Sequence, residues 1–178
     1  MELKGTRTEQ NLTAAFRSKA HSGNLYDYYA YTCMHEGYQL ISNAFTDSAR
    51  TENTHAKVLF QLLHGPIKDT MTNIRSIIEE ETLAGTETLP KFAETAKNEG
   101  FSEAAFFFEE IAKVHLDHAA KYTEILHNIE TDSVFAKSEK KDWVCKVCGY
   151  VHTDFSAPED CPMCRHPKGL FYIRAENY

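Results

Sequence analysis

The sequence has few of the residues that make turns, with 8 glycines and 5 prolines among 178 residues. This scarcity argues against a loop-rich all-β protein, because such folds need many turn residues. No apolar run approaches the roughly 20 residues that span a bilayer, and residues 1–5 lack the apolar stretch of a secretory signal. We therefore expect no membrane association and a cytoplasmic location.

Positive charge is also scarce, since 19 basic residues face 26 acidic ones and the formal net charge is −7. A negative surface repels phosphate backbones, which argues against nucleic acid as a partner. Hydrophobic residues make up 42% of the chain and charged residues 25%, as is usual in globular domains. The length allows one medium domain and one small domain.

Apolar residues recur at alternating steps of three and four over residues 6–129, which predicts four amphipathic helices. A capping box, Thr6 with Glu9, indicates where the first helix begins. Pro90 is expected to kink or break the third helix, and Ser102 is expected to cap the fourth. Four helices with short connections favour a mainly α fold with an antiparallel four-helix bundle.

The polar residues 131–142 predict a linker that divides the chain into two domains. We expect the helical bundle at residues 1–130 and a small domain of strands and turns, rich in cysteine, at residues 143–178.

Four of the five cysteines form two pairs, Cys145-x2-Cys148 and Cys161-x2-Cys164. Each pair fits one edge of a tetrahedral metal ion, and in a reducing compartment this cluster indicates a metal site in preference to disulfides. Gly149 permits a backbone conformation in which amides point at thiolate sulfur. On spacing alone, zinc and iron fit equally well.

Polar residues also interrupt the inner stripe near the middle of every predicted helix. An uncompensated carboxylate in a bundle core is strongly unfavourable. Carboxylates and imidazoles that converge at one height are most simply explained by a bound metal, although a polar core without metal is the alternative. The residues concerned are Lys19 on the first helix, Glu52 and His55 on the second, Glu81 on the third, and His115 and His118 on the fourth.

The segments Trp143–Tyr150 and Ala157–Cys164 resemble a rubredoxin domain, with its Cys-x-x-Cys-Gly-Tyr and Cys-Pro-x-Cys patterns. A rubredoxin-like domain after a four-helix bundle, together with the segment Gly5–Leu12, resembles rubrerythrin over almost the whole chain. The resemblance implies a ferritin-like bundle and one redox-active iron on the four cysteines. It raises iron above zinc there. A shell of aromatic side chains is expected around this iron, including Phe155.

Rubrerythrins carry a di-iron carboxylate site in the bundle, and this sequence departs from that pattern. The Glu-x-x-His motif of the second helix is kept as Glu52 and His55. The third helix has Ala84 where a second glutamate is expected, and glutamates are replaced by His115 on the fourth helix and by Lys19 on the first. Two divalent ions beside the lysine would leave a large excess of positive charge over the remaining carboxylates, whereas one ion comes close to balance.

We therefore expect one divalent ion, iron or zinc, in the bundle. Its expected ligands, of which His55 is optional or switching, are Glu52, Glu81, His115, His118 and His55.

Lys19 is expected in or beside the place of the first iron, where its ammonium would donate a proton or stabilise a bound anion. Two alternatives are that it reaches outward to solvent or pairs with a carboxylate in an empty bundle. Tyr26 matches a tyrosine near the iron site of the family and is expected to hydrogen-bond a ligand carboxylate. Lys19 and Tyr26 are thus the candidate catalytic residues.

The resemblance implies reduction of hydrogen peroxide, with electrons passing from the iron on the cysteines to the bundle metal. It also implies a homodimer and an electron donor protein or reductase. A second hypothesis is an electron carrier or redox sensor whose bundle site is mononuclear or inactive, and a third is a metal-binding protein without turnover. Which of the three applies depends on the site and not on the fold.

Overall fold

The structure, a computed structural model, describes residues 2–175 and divides the chain into two compact units, Met1–Lys68 and Asp69–Tyr178. The division falls after the second predicted helix, and the boundaries predicted around residues 130 and 142 lie inside the second unit. In the described part of the chain, no helix is both long and apolar enough to cross a bilayer.

The first unit is a hairpin of two long helices, α1 (Arg7–His35) and α2 (Gln39–His64). The predicted capping box is confirmed, because Thr6 Oγ1 accepts a hydrogen bond from the Glu9 amide at 3.1 Å. The Glu9 carboxylate accepts in return from the Gly5 amide at 2.6 Å. These bonds satisfy amides that a helix start leaves unpaired, and so they fix where α1 begins.

Small residues let α1 and α2 approach closely. The buried positions of the hairpin are Gly23, Ala30, Ser42, Ala49 and Ala56. Ser42 Oγ donates to the Ala30 carbonyl at 2.8 Å, which joins the two helices near the turn. A Cβ at Gly23 would meet the side-chain amide of Asn53, so the helices are also close one turn after Lys19.

In the second unit, the third predicted helix is divided into α3 (Thr70–Leu83) and α4 (Leu89–Asn98) by a π-helical turn, Ala84–Thr88. The break expected at Pro90 is confirmed, and it takes the form of this wider turn just before the proline. Pro90 has no amide hydrogen to bond back along the helix, and its ring would crowd the carbonyl four residues earlier. A π-helical turn shifts the hydrogen-bond pattern and relieves that conflict.

The fourth predicted helix is α5 (Ser102–Glu130). The expectation that Ser102 caps it is wrong, because Phe101 is the N-cap residue and no side chain caps this end. The reason lies in the preceding turn, where Gly100 has a φ of 85° and the Phe101 amide bonds to the Ala96 carbonyl at 2.8 Å. Because this bond closes the end of α4, Phe101 takes the N-cap position, and Ser102 is already the first residue of α5.

The rest of the second unit is a small antiparallel sheet of β1 (Ala136–Cys145), β2 (Val151–Ser156) and β3 (Phe171–Ile173), in the order β2-β1-β3. Strand β1 begins at residue 136, so most of the segment expected as a linker is strand. Its first part pairs only with β2, since β3 pairs with residues 143–145. The polar side chains of this part suit an edge that faces solvent.

The core of the small domain surrounds the cysteines. Its buried members are Trp143, Cys145, Ala157, Cys161 and Phe171, with Phe135 and Tyr150 packed against them. The expectation that Phe155 belongs to this shell is wrong, because its side chain is 50% exposed on β2. Successive strand residues face opposite sides of a sheet, and Phe155 falls on the solvent side, where Lys140 lies over its ring.

Candidate metal centres

The four cysteines lie on two turns with the same backbone geometry. After each second cysteine comes a residue in the left-handed region, Gly149 with a φ of 75° and Arg165 with a φ of 61°. The amide of that residue bonds to the carbonyl of the first cysteine in both turns, at 2.9 Å. The role predicted for Gly149 is confirmed, whereas Arg165 holds the same conformation at a cost of about 1 kcal/mol.

Backbone amides in both turns point at sulfur. Cys145 and Cys161 each accept from the amides two and three residues later, and Cys148 and Cys164 each accept from the amide two residues later. Donors aimed at sulfur favour the thiolate, which is the form that binds metal.

The thiols do not ionise equally in the chain without metal. Burial raises the pKa of Cys161, but the amides of Cys164 and Met163 outweigh it and lower the pKa to about 7. The His166 amide lowers the pKa of Cys164, but burial and the neighbouring cysteines raise it to about 12. A cation among the sulfurs removes this competition, because it stabilises all four thiolates together.

The sulfur positions fit one tetrahedral ion. Sγ of Cys145 lies 3.7 Å from Sγ of Cys164, and Sγ of Cys148 lies 3.6 Å from Sγ of Cys161. A metal–sulfur bond of about 2.3 Å implies a separation of about 3.8 Å between ligands of a tetrahedron. All four sulfurs lie within 4.8 Å of one another, and no other set of three or more histidine, cysteine, aspartate or glutamate side chains in the described part of the chain meets that distance. We call these four residues the cysteine cage.

In the first unit, Lys19 and Glu52 form an ion pair between α1 and α2. Lys19 Nζ lies 3.2 Å from Oε1 of Glu52 and 2.9 Å from Oε2. The Glu52 side chain is only 16% exposed, and its Oε2 is buried without a well-directed hydrogen bond. The charge of the ammonium therefore compensates this carboxylate, although only Oε1 receives a hydrogen bond with good geometry.

In the second unit, Glu81 on α3 lies against two imidazoles of α5. Its Oε2 is 2.6 Å from Nδ1 of His115 and 3.5 Å from Nδ1 of His118. Histidines three residues apart project from the same side of a helix, which places both rings toward α3. We call these three side chains the Glu81 cluster; a direct hydrogen bond joins Glu81 to His115, and His118 lies at ion-pair distance from the same carboxylate.

A glycine that the sequence analysis overlooked positions this cluster. Gly85 follows Glu81 by one helical turn and is buried against α5. A Cβ there would lie 2.7 Å from Leu116 Cγ and 2.9 Å from the Ala112 carbonyl oxygen. The available signal was an isolated glycine inside a helical pattern, which often marks close packing.

The remaining predicted site residues lie elsewhere in the first unit. His55 is exposed on α2. Tyr26 is partly buried and stacks on Phe45, with ring centroids 6.0 Å apart. The roles of these two residues stay predictions, as does the full bundle ligand set.

Comparison with known proteins accounts for both regions of the chain. Residues 10–126 match the rubrerythrin family, and residues 143–172 match the family described as rubrerythrin, rubredoxin-like domain. The chain belongs to the rubrerythrin family. Rubrerythrin-1 of Clostridium acetobutylicum is 38% identical, over 99% of this chain and 98% of the relative. A rubrerythrin of Porphyromonas gingivalis is 37% identical, over 99% of this chain and 94% of the relative.

Membership of the rubrerythrin family confirms the predicted fold class, a ferritin-like helical region followed by a rubredoxin-like domain. The chain is a non-haem iron protein of this family, and its cysteine cage fits rubredoxin-like iron binding. Metal binding in the helical region is typical of rubrerythrins. The departures predicted at Lys19, Ala84 and His115 stay predictions.

Proposed function

We propose that this rubrerythrin reduces hydrogen peroxide with electrons that enter singly at the cysteine cage. The observation that carries the proposal is the cage itself, with four sulfurs at tetrahedral separations and amides directed at them. The burial of Cys145 and Cys161 among aromatic residues favours a one-electron change over ligand exchange, because it limits the access of solvent to an ion held there. Peroxide reduction is the usual role of the family.

The second requirement is a place where peroxide reacts. We propose that the helical region holds one divalent ion, with ligands drawn from the predicted set of Glu52, His55, Glu81, His115 and His118. A redox-active ion held by these residues would supply electrons for the reduction of peroxide. Reduction of one peroxide to two water molecules consumes two electrons and two protons; the Lys19 ammonium is the proposed donor of one proton, and solvent supplies the other. The Tyr26 hydroxyl is the proposed partner of a ligand carboxylate.

The test uses the iron-loaded full-length chain, a chemically reduced rubredoxin-type donor and added hydrogen peroxide. We expect peroxide-dependent reoxidation of the cage in the wild type. Glu81→Gln should abolish peroxide consumption while the cage is still reduced by the donor, whereas Cys161→Ser should abolish the entry of electrons. Wild-type chain with a reduced cage and a loaded helical site that leaves peroxide untouched would refute the proposal.

A second candidate function is an electron carrier or redox sensor, and the Lys19–Glu52 ion pair favours it. This pair compensates a carboxylate that the family uses as a ligand, which reduces the capacity for metal chemistry in the helices. The expected signature is a red iron–thiolate spectrum with reversible one-electron reduction and no consumption of peroxide. A colourless, zinc-filled protein would instead indicate metal binding without turnover.

For the cellular context, we propose a homodimer in the cytoplasm that receives electrons from a donor protein. Tyr28, Tyr29 and Tyr31 crowd one segment of α1 and are largely exposed, which suits a contact between chains. Sedimentation velocity of the wild type and of a variant with serine at these three positions tests the dimer. A monomeric wild type would exclude it.

A further inference from the structure

The Glu52 carboxylate already has a cation within its own unit. Lys19 Nζ lies near both of its oxygens, and the side chain of Glu52 is largely buried. A divalent ion bound to the same carboxylate would stand next to the ammonium, and the two cations would repel each other, although the 40% exposure of the Lys19 side chain reduces that repulsion. Glu52 is therefore poorly suited to hold a metal while Lys19 is paired with it.

Glu81 is in the opposite situation. Its side chain is 14% exposed, and its described ion pairs are with His115 and His118, which carry charge only when protonated. With neutral imidazoles, this carboxylate has no full positive charge opposite it in those pairs. A divalent ion supplies that charge, and it binds the neutral imidazole and ionised carboxylate forms.

The chemistry of the Glu81 cluster suits a single transition metal. Two imidazoles and one carboxylate form the donor set of mononuclear non-haem iron sites, and they leave coordination positions open. The three residues belong to one compact unit, and the close packing at Gly85 holds α3 against α5 beside them. The ligand atoms of the three side chains do not all lie within 4.8 Å of one another, since the two imidazole centroids are 6.4 Å apart. Binding therefore requires the side chains to turn toward a common point, where bonds to the ion would replace the direct Glu81–His115 hydrogen bond.

We infer that Glu81, His115 and His118 alone form a mononuclear divalent-metal site, and that Lys19 serves as the counter-ion of Glu52. This inference deepens the proposed function, because it names the ligands of the proposed ion and removes Glu52 and His55 from the set. It also distinguishes this chain from the two-ion carboxylate sites of its family.

The experiment titrates the full-length chain, with its cage filled, with Co²⁺ as a spectroscopic probe and with Fe²⁺ under anaerobic conditions. We expect one further equivalent of metal, with cobalt absorption typical of nitrogen and oxygen ligands. Glu81→Gln, His115→Gln and His118→Gln should each weaken binding by at least about tenfold, as even indirect partners of a metal do. His127→Gln, on an exposed histidine of the same helix, is the matched control and should bind like the wild type.

The first unit provides the second arm of the experiment. Glu52→Gln and Lys19→Met should leave the Co²⁺ affinity within about twofold of the wild type. In the chain with an empty helical site, Lys19→Met should lower the denaturation midpoint, because it leaves a buried carboxylate uncompensated. The double variant Lys19→Met/Glu52→Gln should recover much of that loss.

Several outcomes would overturn the inference. Loss of the metal in Glu52→Gln would make Glu52 a ligand, and two further equivalents in the wild type would show a two-ion site. Equal weakening in His127→Gln and His118→Gln, or no further equivalent, would show that the cluster is not a site. A chain that binds one ion as expected but consumes no peroxide would refute the proposed function and leave this inference intact.

Discussion

A methyl group added at Gly85 tests whether the close packing of the π-helical turn against α5 positions the Glu81 cluster. The new Cβ would lie 2.7 and 2.8 Å from Cγ and Cδ2 of Leu116 and 2.9 Å from the carbonyl oxygen of Ala112. These separations are shorter than van der Waals contacts. The Leu116 side chain can rotate, but the Ala112 carbonyl belongs to the backbone of α5 and moves only if that helix moves.

The expected magnitude follows from two opposed effects. Alanine is favoured over glycine inside a helix by about 1 kcal/mol. Overpacking of a well-filled contact costs about 1–3 kcal/mol. We expect Gly85→Ala to destabilise the chain by up to about 2 kcal/mol, which corresponds to a fall of up to about 8 °C in Tm for a chain of this size.

Gly23→Ala is the matched control in the other unit. Its Cβ would also meet a neighbour, but that neighbour is the end of the Asn53 side chain, whose Cγ lies 3.1 Å away. Asn53 avoids the methyl group by rotating, so the helix preference should prevail and leave stability unchanged or raised by up to about 1 kcal/mol.

Urea denaturation followed by circular dichroism measures both variants, and Co²⁺ titration measures the site. We expect Gly85→Ala to lower both the stability and the Co²⁺ affinity, and Gly23→Ala to lower neither. If Gly85→Ala were as stable as Gly23→Ala, the close approach of the turn to α5 would not hold, and the packing argument for the cluster would fail.

Three further predictions concern the second unit. Hydrogen bonds from the first turn of α3 lower the pKa of Asp69, so its capping contribution is present above the ordinary value of 3.8 and is lost as the pH falls through the lowered pKa. Asp69→Asn keeps a cap but should remove this acid dependence, as denaturation midpoints between pH 2 and pH 6 would reveal. Lys137 Nζ donates to Asn128 Oδ1 at 2.9 Å, which joins the start of β1 to the last turn of α5. Lys137→Met should lower the free energy of unfolding by about 1 kcal/mol and speed amide exchange at that junction. Cys161→Ser should abolish the iron–thiolate absorption and destabilise the small domain in thermal melts, whereas Cys33→Ser should change neither.

Most of the local structure was predictable because it depends on neighbours in sequence. The capping box at Thr6, the interruption near Pro90 and the left-handed Gly149 each follow from the chemistry of one short segment. The cysteine cage was predictable for the same reason, since each Cys-x-x-Cys pair forms within its own turn. The two wrong predictions also concern local structure. The turn before α5 placed Phe101 at the N-cap position instead of Ser102, and the alternation of side chains along β2 turned Phe155 toward solvent.

Which polar side chain pairs with which was not predictable from helical periodicity. Periodicity places Lys19, Glu52, Glu81 and His115 on inner stripes, but it does not say which carboxylate meets a lysine and which meets a histidine. That pairing depends on the height of one helix against another, which small residues such as Gly85 set through contacts distant in sequence.

The amino-acid sequence by itself determined the helices, the cage ligands and the family, because these depend on periodicity and on short motifs. Tertiary structure alone decided that Glu52 is compensated by an ammonium within its own unit and that Glu81 faces two imidazoles. The physical reason is that the balance of charge around a buried carboxylate depends on distances of a few ångströms between separate helices, and a linear pattern does not contain them.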